Sequence, residues 1–409
     1  MPRNGWTLRW REGNQIDLLQ NGGEFFPALH EAIDAAQFSV HIETYIFYLD
    51  DTGRSVLDRL RRACERGIKV RVVIDGFGSL PHAAEIAATL ADMGAQCRIY
   101  RPEPVGIRMF KFDYRRLRRM HRKVAVVDNR VAFVGGVNII GDFLDVPDDG
   151  AGPKPRFDFT VRLQGPIVAD VVTAQRGLWL RIGIGRERDW ANIYRRITEG
   201  AKRYFKRRSK PLPVYRPGHR AILLLRDNVR FRQSIENVYL KAIGRARNEI
   251  LIANAYFFPG HRLRVALERA AARGVRVRLL LQGRSEYPMQ YRASRSMYSK
   301  VLDDGIEIYE YMPSYLHAKV AVIDSYAMVG SSNLDPFSLL LAREANVFIE
   351  DAGFAAELED ALETVMKNDA RRVTQESLQK RSFIGRFIDS ASYMMLRIGV
   401  ALTGKSSEY

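Results

Sequence analysis

The 409-residue chain carries 64 lysine and arginine residues against 47 aspartate and glutamate residues, a formal net charge of +17. Because 46% of its residues are apolar, the composition excludes a disordered chain, and the length allows two or three domains. The positive charge predicts a polyanionic partner: nucleic acid, an anionic membrane surface or a phosphate-bearing substrate. Cys64 and Cys97 are the only cysteines, which excludes a disulfide framework and a cysteine-based zinc site.

Membrane-targeting segments are not evident in the sequence. The amino-terminal stretch up to Asp17 is polar, so we expect no secretory signal there. No run of about 18 uncharged apolar residues occurs, so no membrane-spanning helix is expected. The nearest approach, at 383–402, is interrupted by Arg386, Asp389 and Arg397.

The chain contains an internal repeat with an offset near two hundred residues. The matching segments are 40–47 with 251–258, 66–73 with 273–280, and 120–128 with 316–324. In chain order, the first copy predicts a strand near 40–47, a helix at 54–66 and a strand at 68–74; the second predicts them near 250–258, at 262–273 and at 275–281. Each helix ends at an Arg-Gly pair that suits a C-cap. Parallel strands joined by helices, and hence an α/β fold, follow.

The repeat also defines the expected domain organisation. Two halves, 1–180 and 216–372, are separated by a basic insert and linker at 181–215 and followed by a basic amphipathic tail at 373–409. A second basic run, within 108–119, precedes His121, and it is either a solvated face or an approach for a phosphate.

One motif, His-x-Lys-x4-Asp, occurs once in each copy, as His121, Lys123 and Asp128 and as His317, Lys319 and Asp324. Residues two apart in a strand share a face, so each His and Lys should project together. Each Asp falls at a predicted turn, where we expect an orienting carboxylate. The segments 135–138 and 330–333 follow, ending at Asn138 and at Ser332 and Asn333, and their small residues would let donors approach an oxyanion.

Two histidines and two lysines suit metal-free phosphoryl transfer. The lysines would neutralise the phosphate, one neutral imidazole would attack phosphorus to form a phosphohistidine, and the other would protonate the leaving alkoxide. The alternative is that each His is a structural residue at a strand end. The other histidines lack this spacing and are expected to be structural, and Tyr45 and Tyr256 are expected in the core.

The doubled motif resembles the phospholipase D superfamily over nearly the whole chain. Segments 10–14 (WREGN), 120–123 (MHRK), 254–260 (NAYFFPG) and 329–336 (VGSSNLDP) are similar to the B-type bacterial cardiolipin synthases. The resemblance implies two duplicated phospholipase D-like α/β/α halves, with mixed β-sheets packed into one pseudo-symmetric unit, and one active site that needs no metal or other cofactor. It implies catalytic roles for both His-Lys-Asp sets, with His121 as nucleophile and His317 as acid. Glu344 matches the family's acidic position, and Asp158 is its counterpart, preceded by Phe157 where the family usually has Arg.

The expected function is phosphatidyl transfer from one phospholipid to phosphatidylglycerol, giving cardiolipin and glycerol, or ethanolamine if phosphatidylethanolamine is the donor. The alternatives are a phospholipase D-type phosphodiesterase or nuclease, and a non-catalytic membrane-binding protein. Nucleic acid is the less favoured partner, because small nucleases of this superfamily usually carry one motif per chain.

The tail is expected to contact an anionic phospholipid membrane from the cytoplasmic face of the bacterial inner membrane, as a peripheral association. Its apolar stripe comprises Phe383, Phe387, Ala391, Met394, Ile398 and Leu402, widened by Ile384, Ile388 and Met395. Charged residues off the stripe favour lying in the interface. The alternative is that the stripe docks onto the protein's own core.

Overall fold

The computed structural model describes residues 9–103, 118–148, 150, 152–184, 217–227, 231, 233–335, 337–380 and 382–401. The predicted basic insert and linker at 181–215 lies outside the described residues from 185 onwards. Most of the basic run before His121 also lies outside them, up to residue 117, as does Leu402 at the end of the predicted stripe.

The first half alternates strands and helices. Its elements are β1 (Arg11–Gln20), α1 (Asn21–Asp34), β2 (Ser39–Thr44), α2 (Asp51–Glu65), β3 (Lys69–Asp75), α3 (Ala83–Asp92), β4 (Gln96–Tyr100), β5 (Lys123–Val127), β6 (Val131–Gly135), β7 (Phe159–Gln164) and α4 (Val168–Ile184).

The second half repeats this order and adds the tail. Its elements are β8 (His219–Arg226), α5 (Ser234–Arg245), β9 (Glu249–Asn254), α6 (His261–Ala272), β10 (Arg276–Gln282), α7 (Pro288–Arg295), α8 (Tyr298–Asp303), β11 (Glu307–Tyr311), β12 (Lys319–Ile323), β13 (Tyr326–Gly330), a π-helical turn (Phe337–Leu341), β14 (Glu344–Glu350), α9 (Ala352–Asn368), β15 (Ala370–Val373), α10 (Gln375–Gln379) and α11 (Phe383–Ala401).

The predicted strand–helix–strand units are confirmed in both copies within a few residues. Helices α2 and α6 both end as expected, because Gly67 and Gly274 adopt φ values of 79° and 87°, a left-handed conformation that glycine enters without steric cost. Strands β2, β3 and β4 are parallel to one another, as are β9, β10 and β11. The α/β fold with two duplicated halves is therefore confirmed.

The strands of both halves join in one mixed sheet. In the part of the chain that the structure describes, its fifteen strands run in the order β15-β11-β10-β9-β12-β13-β14-β8-β1-β7-β6-β5-β2-β3-β4. The two halves join where β1 pairs antiparallel with β8, and β1 and β8 continue into β7 and β14. Strands β6 and β13 contact each other although four strands lie between them in this order, so the sheet curves around a common core.

That common core is built from alternate residues of the motif strands. Val124 and Val126 of β5 and Val320 and Val322 of β12 belong to one buried cluster that draws on both halves. The intervening residues of each strand belong instead to the core of their own half. This alternation follows from the two-residue period of a strand, and it fixes β5 and β12 against one another.

Asp128 and Asp324 lie at the opposite ends of β5 and β12 from the histidines, and their catalytic assignment stays a prediction. A five-residue strand spans about 17 Å. The carboxylate of Asp128 accepts bonds of 2.7–2.8 Å from the backbone N–H groups of 37–39. Asp324 accepts three bonds of 2.9–3.0 Å from the N–H groups of 247–249. Both take positive φ, 53° and 48°, so each closes a turn and anchors the start of the neighbouring strand.

The described part of the tail forms α10 and α11, and α11 packs on α7. Among the described residues, no helix combines the length and apolar character needed to cross a bilayer.

We expect Asp324→Asn to lower the free energy of unfolding by about 1–2 kcal/mol, because hydrogen bonds to a charged acceptor are worth more than those to an amide. Partial burial acts against ionisation, but the backbone N–H groups outweigh it and hold the pKa of Asp324 below its ordinary value. A lowered carboxyl pKa gives stability above the unfolded-state value, so the loss should be constant between about pH 5.5 and 8. Urea unfolding measures it. A folded Asp324→Asn variant without catalytic turnover would instead support a catalytic role.

Candidate active site

Short backbone bridges between the halves place the two histidines at one seam. The His121 N–H donates to the carbonyl of Arg343 (2.9 Å), and the Arg343 N–H donates to the carbonyl of Arg119 (2.8 Å). In the equivalent bridge, the His317 N–H donates to the carbonyl of Phe157 (2.8 Å). Each His therefore enters the site pinned to the strand-end segment of the opposite half.

His121 is held through both ring nitrogens. Its Nδ1 lies 3.1 Å from the carbonyl oxygen of Ser331 and 3.3 Å from Oε2 of Glu344. Both acceptors place the ring proton on Nδ1 and leave a lone pair on Nε2. Lys123 Nζ donates to that Nε2 (3.1 Å) and to the carbonyl oxygen of His121 (2.9 Å).

His317 repeats the arrangement with a shorter contact. Its Nδ1 lies 2.6 Å from Oδ2 of Asp158, and Lys319 donates to its carbonyl oxygen. The carboxylates are exchanged between the halves, since Asp158 belongs to the first half and Glu344 to the second. Neither histidine has its full set of partners without the other half.

Burial governs the protonation of the site. It lowers the pKa of His121 and, more strongly, that of His317, and the nearby lysines lower both further. Burial also lowers the pKa of Lys123 to about 7, helped by Lys319, and that of Lys319 to about 8. Burial raises the pKa of Asp158 to about 7 against the pull of Lys319. Lys123, Lys319 and Asp158 therefore have pKa values near neutral pH, where a nearby change in charge alters their protonation.

The glycine-containing segments let the side chains of Asp158 and Asn346 approach the backbone closely. A Cβ on Gly136 would lie 2.1 Å from Oδ1 of Asp158, and one on Gly330 would lie 2.2 Å from Oδ1 of Asn346. The N–H groups of Ser331 and Ser332 donate to that same Asn346 oxygen (3.2 and 3.3 Å). These two N–H groups therefore orient the segment, and the binding of an oxyanion by its backbone and hydroxyl donors stays a prediction.

The side chains of this segment remain available for a phosphate. The buried hydroxyl of Ser332 and Oδ1 of Asn333 have no hydrogen-bond partner among the described residues. The hydroxyl of Ser331 donates to Glu344 (2.5 Å), and Asn138 Oδ1 accepts from the N–H of Ile46 (3.1 Å). Ser332 and Asn333 keep free polar atoms, whereas Asn138 ties its segment to the end of β2.

Tyr45 lies at the site, although the sequence analysis favoured the core. Its ring centroid is 4.8 Å from that of His121, and Lys123 Nζ lies 5.4 Å from the same ring. Tyr256, its counterpart, is buried, and its ring centroid lies 6.1 Å from that of Tyr287. Tyr45 and Tyr256 follow equivalent strands of the repeat, β2 and β9, and this shared position could have identified Tyr45 as a site residue.

The described end of the basic run supports the site through fixed contacts. Arg119 donates to the buried carboxylate of Asp75 (3.0 Å), which also accepts the N–H of Met120 (2.8 Å). Asp75 thereby fixes the two residues that lead into His121.

The structure thus brings together His121, Lys123, His317, Lys319 and Glu344. Asn138, Ser332 and Asn333 lie on the segments beside them, and Asp128 and Asp324 lie elsewhere. The residue that the sequence analysis named only as a counterpart, Asp158, is the direct partner of His317. The equivalence of Asp158 and Glu344 in the repeat could have indicated that Asp158 contacts a histidine. It could not indicate that each carboxylate contacts the histidine of the opposite half.

Comparison with known proteins identifies the family. The family model described as "Cardiolipin synthase, PLD-like domain" matches residues 29–145 and 239–366. The chain is 38% identical to cardiolipin synthase B of Salmonella typhimurium over 399 residues, covering 97% of this chain and 91% of the relative. It is also 38% identical to cardiolipin synthase B of Escherichia coli K12 over 397 residues, with the same coverage of 97% and 91%.

The fold has a counterpart among solved structures. A phosphatidylserine synthase from Haemophilus influenzae superposes with a TM-score of 0.67 and 16% identity, covering 98% of this chain and 97% of that one. At this identity the likeness concerns the fold, and the family follows from the sequence matches. The chain belongs to the phospholipase D-like cardiolipin synthases, a family of phosphatidyltransferases.

Proposed function

We propose that the seam transfers a phosphatidyl group from one phospholipid to a hydroxyl of phosphatidylglycerol, through a phosphohistidine on His121. The observation that carries the proposal is the exchanged pair of contacts, Glu344 to His121 and Asp158 to His317. Each carboxylate engages Nδ1, so Nε2 is the reactive nitrogen of both rings.

In the first step, Nε2 of His121 forms a bond to phosphorus while the bond from phosphorus to the leaving alcohol breaks. Burial and Lys123 keep this imidazole neutral, as a nucleophile requires. His317 gives its Nε2 proton to the leaving alkoxide, and Lys123 and Lys319 offset the charge on the non-bridging oxygens. The released alcohol is glycerol from phosphatidylglycerol or ethanolamine from phosphatidylethanolamine.

In the second step, His317 takes the proton of the acceptor hydroxyl, whose oxygen attacks the phosphohistidine. Cardiolipin forms and His121 is regenerated. Water in place of the acceptor would yield phosphatidic acid, the outcome of a phospholipase D-type hydrolase. Asp158, 2.6 Å from Nδ1, stabilises the imidazolium of His317 once the phosphodiester has brought its own negative charge.

The partner in this proposal is an anionic phospholipid membrane, contacted peripherally at the cytoplasmic face of the bacterial inner membrane. The net charge of +17 and the lipid substrates support it. Incubation with labelled phosphatidylglycerol vesicles, and separately with DNA, tests the function. Labelled cardiolipin and free glycerol support the transferase, whereas phosphatidic acid alone or cleaved DNA would favour the alternatives.

We expect His121→Ala or His317→Ala alone to reduce turnover to below about 1%, since nucleophile and acid belong to one shared site. His261→Ala, at the start of α6, is the matched control and should retain full activity. Mass spectrometry of the acid-quenched enzyme should place the phosphoryl adduct on His121. An adduct on His317 would reverse the two roles, and substantial activity in either variant would contradict the mechanism.

Asp158→Asn and Glu344→Gln should shift opposite limbs of the pH profile of kcat. Each carboxylate stabilises the imidazolium beside it, so each substitution lowers the pKa of its histidine. Asp158→Asn should move the alkaline limb to lower pH, because His317 loses its proton sooner, and reduce kcat about a hundredfold at neutral pH. Glu344→Gln should move the acid limb to lower pH, because His121 stays neutral further into the acid range. Unmoved limbs would contradict the assigned pairs.

Activity should be complete in excess EDTA. Lys123 and Lys319 provide the positive charge that a divalent ion would supply in a metal-dependent phosphoryl-transfer site. The assay compares enzyme dialysed against EDTA with enzyme given Mg²⁺, Mn²⁺ or Zn²⁺. Loss of activity on chelation, with recovery by one specific ion, would overturn this prediction.

A further inference from the structure

Helix α11 leaves most of its apolar stripe uncovered by the described residues. The side chains of Phe383, Ile384, Phe387, Ile388, Met394, Met395 and Ile398 are all exposed, and Phe387 and Ile398 are 66% and 56% exposed. The alternative considered for this stripe, docking onto the protein's own core, is therefore wrong for the described residues. Exposure of this much contiguous apolar surface calls for a partner.

The opposite face of α11 anchors the helix. Leu396 packs with Phe258 and with Ala293 of α7, and the ring of Tyr393 lies 5.1 Å from that of Phe258. Asp389 is buried 3.7 Å from Nη1 of Arg292. Because α11 is fixed by its less apolar side, the uncovered stripe is presented outward in a defined direction.

The residues on which α11 packs connect it to the active site. Phe258 follows β9, whose last residue, Asn254, pairs in register with Lys319. Helix α7 begins directly after Tyr287, and the preceding residue, Glu286, forms an ion pair with Arg156 (2.6 Å). Arg156 directly precedes Phe157, whose carbonyl accepts the N–H of His317 (2.8 Å), so α7 and α11 lie at the edge of the site on the side of the second half.

The first half carries exposed apolar residues in the equivalent loop. Phe77 and Leu80 follow β3, as Tyr287 and Met289 follow β10, and all four are exposed. Arg119 is two residues before His121, and its guanidinium lies 5.4 Å from the ring centroid of Phe77. Apolar surface therefore flanks the site from both halves.

We propose that these residues form one membrane-docking face, on which the protein sits with the histidine seam turned toward an anionic phospholipid bilayer. The inference rests on the proposed function for the identity of the lipid. Arg386 and Arg397, which are exposed, lie on α11 at the border of the stripe, where phosphate headgroups would meet them. A second copy of this chain is disfavoured as the occupant, because its arginines and its net charge of +17 would repel the same positive charges here.

The docking face also explains why the substrate need not leave the bilayer. An interfacial helix buries its apolar side at the boundary between headgroups and acyl chains. Phosphodiester groups lie at that depth, so a seam flanked by such a helix meets the phosphate while the acyl chains remain in lipid. Substrate capture then depends on the stripe, and the chemical step does not.

The test uses full-length protein with three substitutions on the stripe, Phe387→Ser, Met394→Ser and Ile398→Ser. Binding is measured by co-sedimentation with phosphatidylcholine vesicles that contain or lack phosphatidylglycerol. Turnover is measured on phosphatidylglycerol vesicles and on a short-chain phosphatidylglycerol dissolved as monomers. Phe38→Ser is the control for Phe387→Ser, since Phe38 is equally exposed (65%) and lies beside Asp128 at the far end of β5.

We expect the triple variant to bind anionic vesicles at least about tenfold more weakly and to lose vesicle turnover in proportion, with monomer turnover unchanged. Phe77→Ser with Leu80→Ser should weaken vesicle binding in the same sense, whereas Phe38→Ser should not. Wild-type binding by the triple variant would overturn the inference. So would loss of monomer turnover, which would make the stripe part of the catalytic fold, or conversion of a dimer to a monomer with vesicle binding intact. Absence of turnover by the wild type on both substrates would instead refute the proposed function while leaving the binding result readable.

Discussion

The exchange of carboxylates across the seam is the contact on which the rest of this structure depends. Glu344 reaches His121 from the second half, and Asp158 reaches His317 from the first. Association of the halves buries both histidines and both lysines, and without the exchanged acids these buried groups would lack partners of opposite charge, which is strongly unfavourable. The shared sheet, the common core and the backbone bridges at 343 and 157 all hold the halves at the distance that this exchange requires.

The buried charges of the seam can balance one another both before and after a phosphodiester binds. Lys123 and Lys319 contribute two positive charges, and Asp158 and Glu344 can contribute two negative ones, so the empty site can be neutral with both imidazoles uncharged. A bound phosphodiester adds one negative charge in a buried place. The least costly response is one more proton, and an imidazole beside a carboxylate is where it is best stabilised. On this account the charge of the bound substrate makes the site take up from solvent the proton that the general acid then gives away.

The sequence predicted the halves and the four central side chains, because duplication and a strand's two-residue period are local properties. His121 and Lys123 project together for that reason alone. The position of the motif aspartates can be predicted from the rise per residue of a strand, which places Asp128 about 17 Å along β5 from the end next to His121. The spacing predicted only an orienting carboxylate at a turn, and the catalytic assignment of both aspartates came from the family resemblance.

Other features depend on tertiary structure and could not be predicted locally. The partner of His317 lies 159 positions away, and only the packing of the halves selects Asp158 over other acids. The glycines preceding Asn138 and within 330–333 look the same whether they admit an anion or a side chain. Here the neighbouring strand decides, since a Cβ at Gly136 would strike the Asp158 carboxylate.

The position of the docking face follows from the topology that builds the site. Strands β2 and β3 run antiparallel to β5, so their carboxyl ends lie beside the end of β5 that receives His121. The same holds for β9 and β10 beside β12. Loops that follow these strands must therefore border the active site in both halves. The duplication provides two such borders, and α11, which packs on only one of them, breaks the symmetry. The two borders therefore differ in their apolar surface, although the histidine and lysine pairs between them are nearly equivalent.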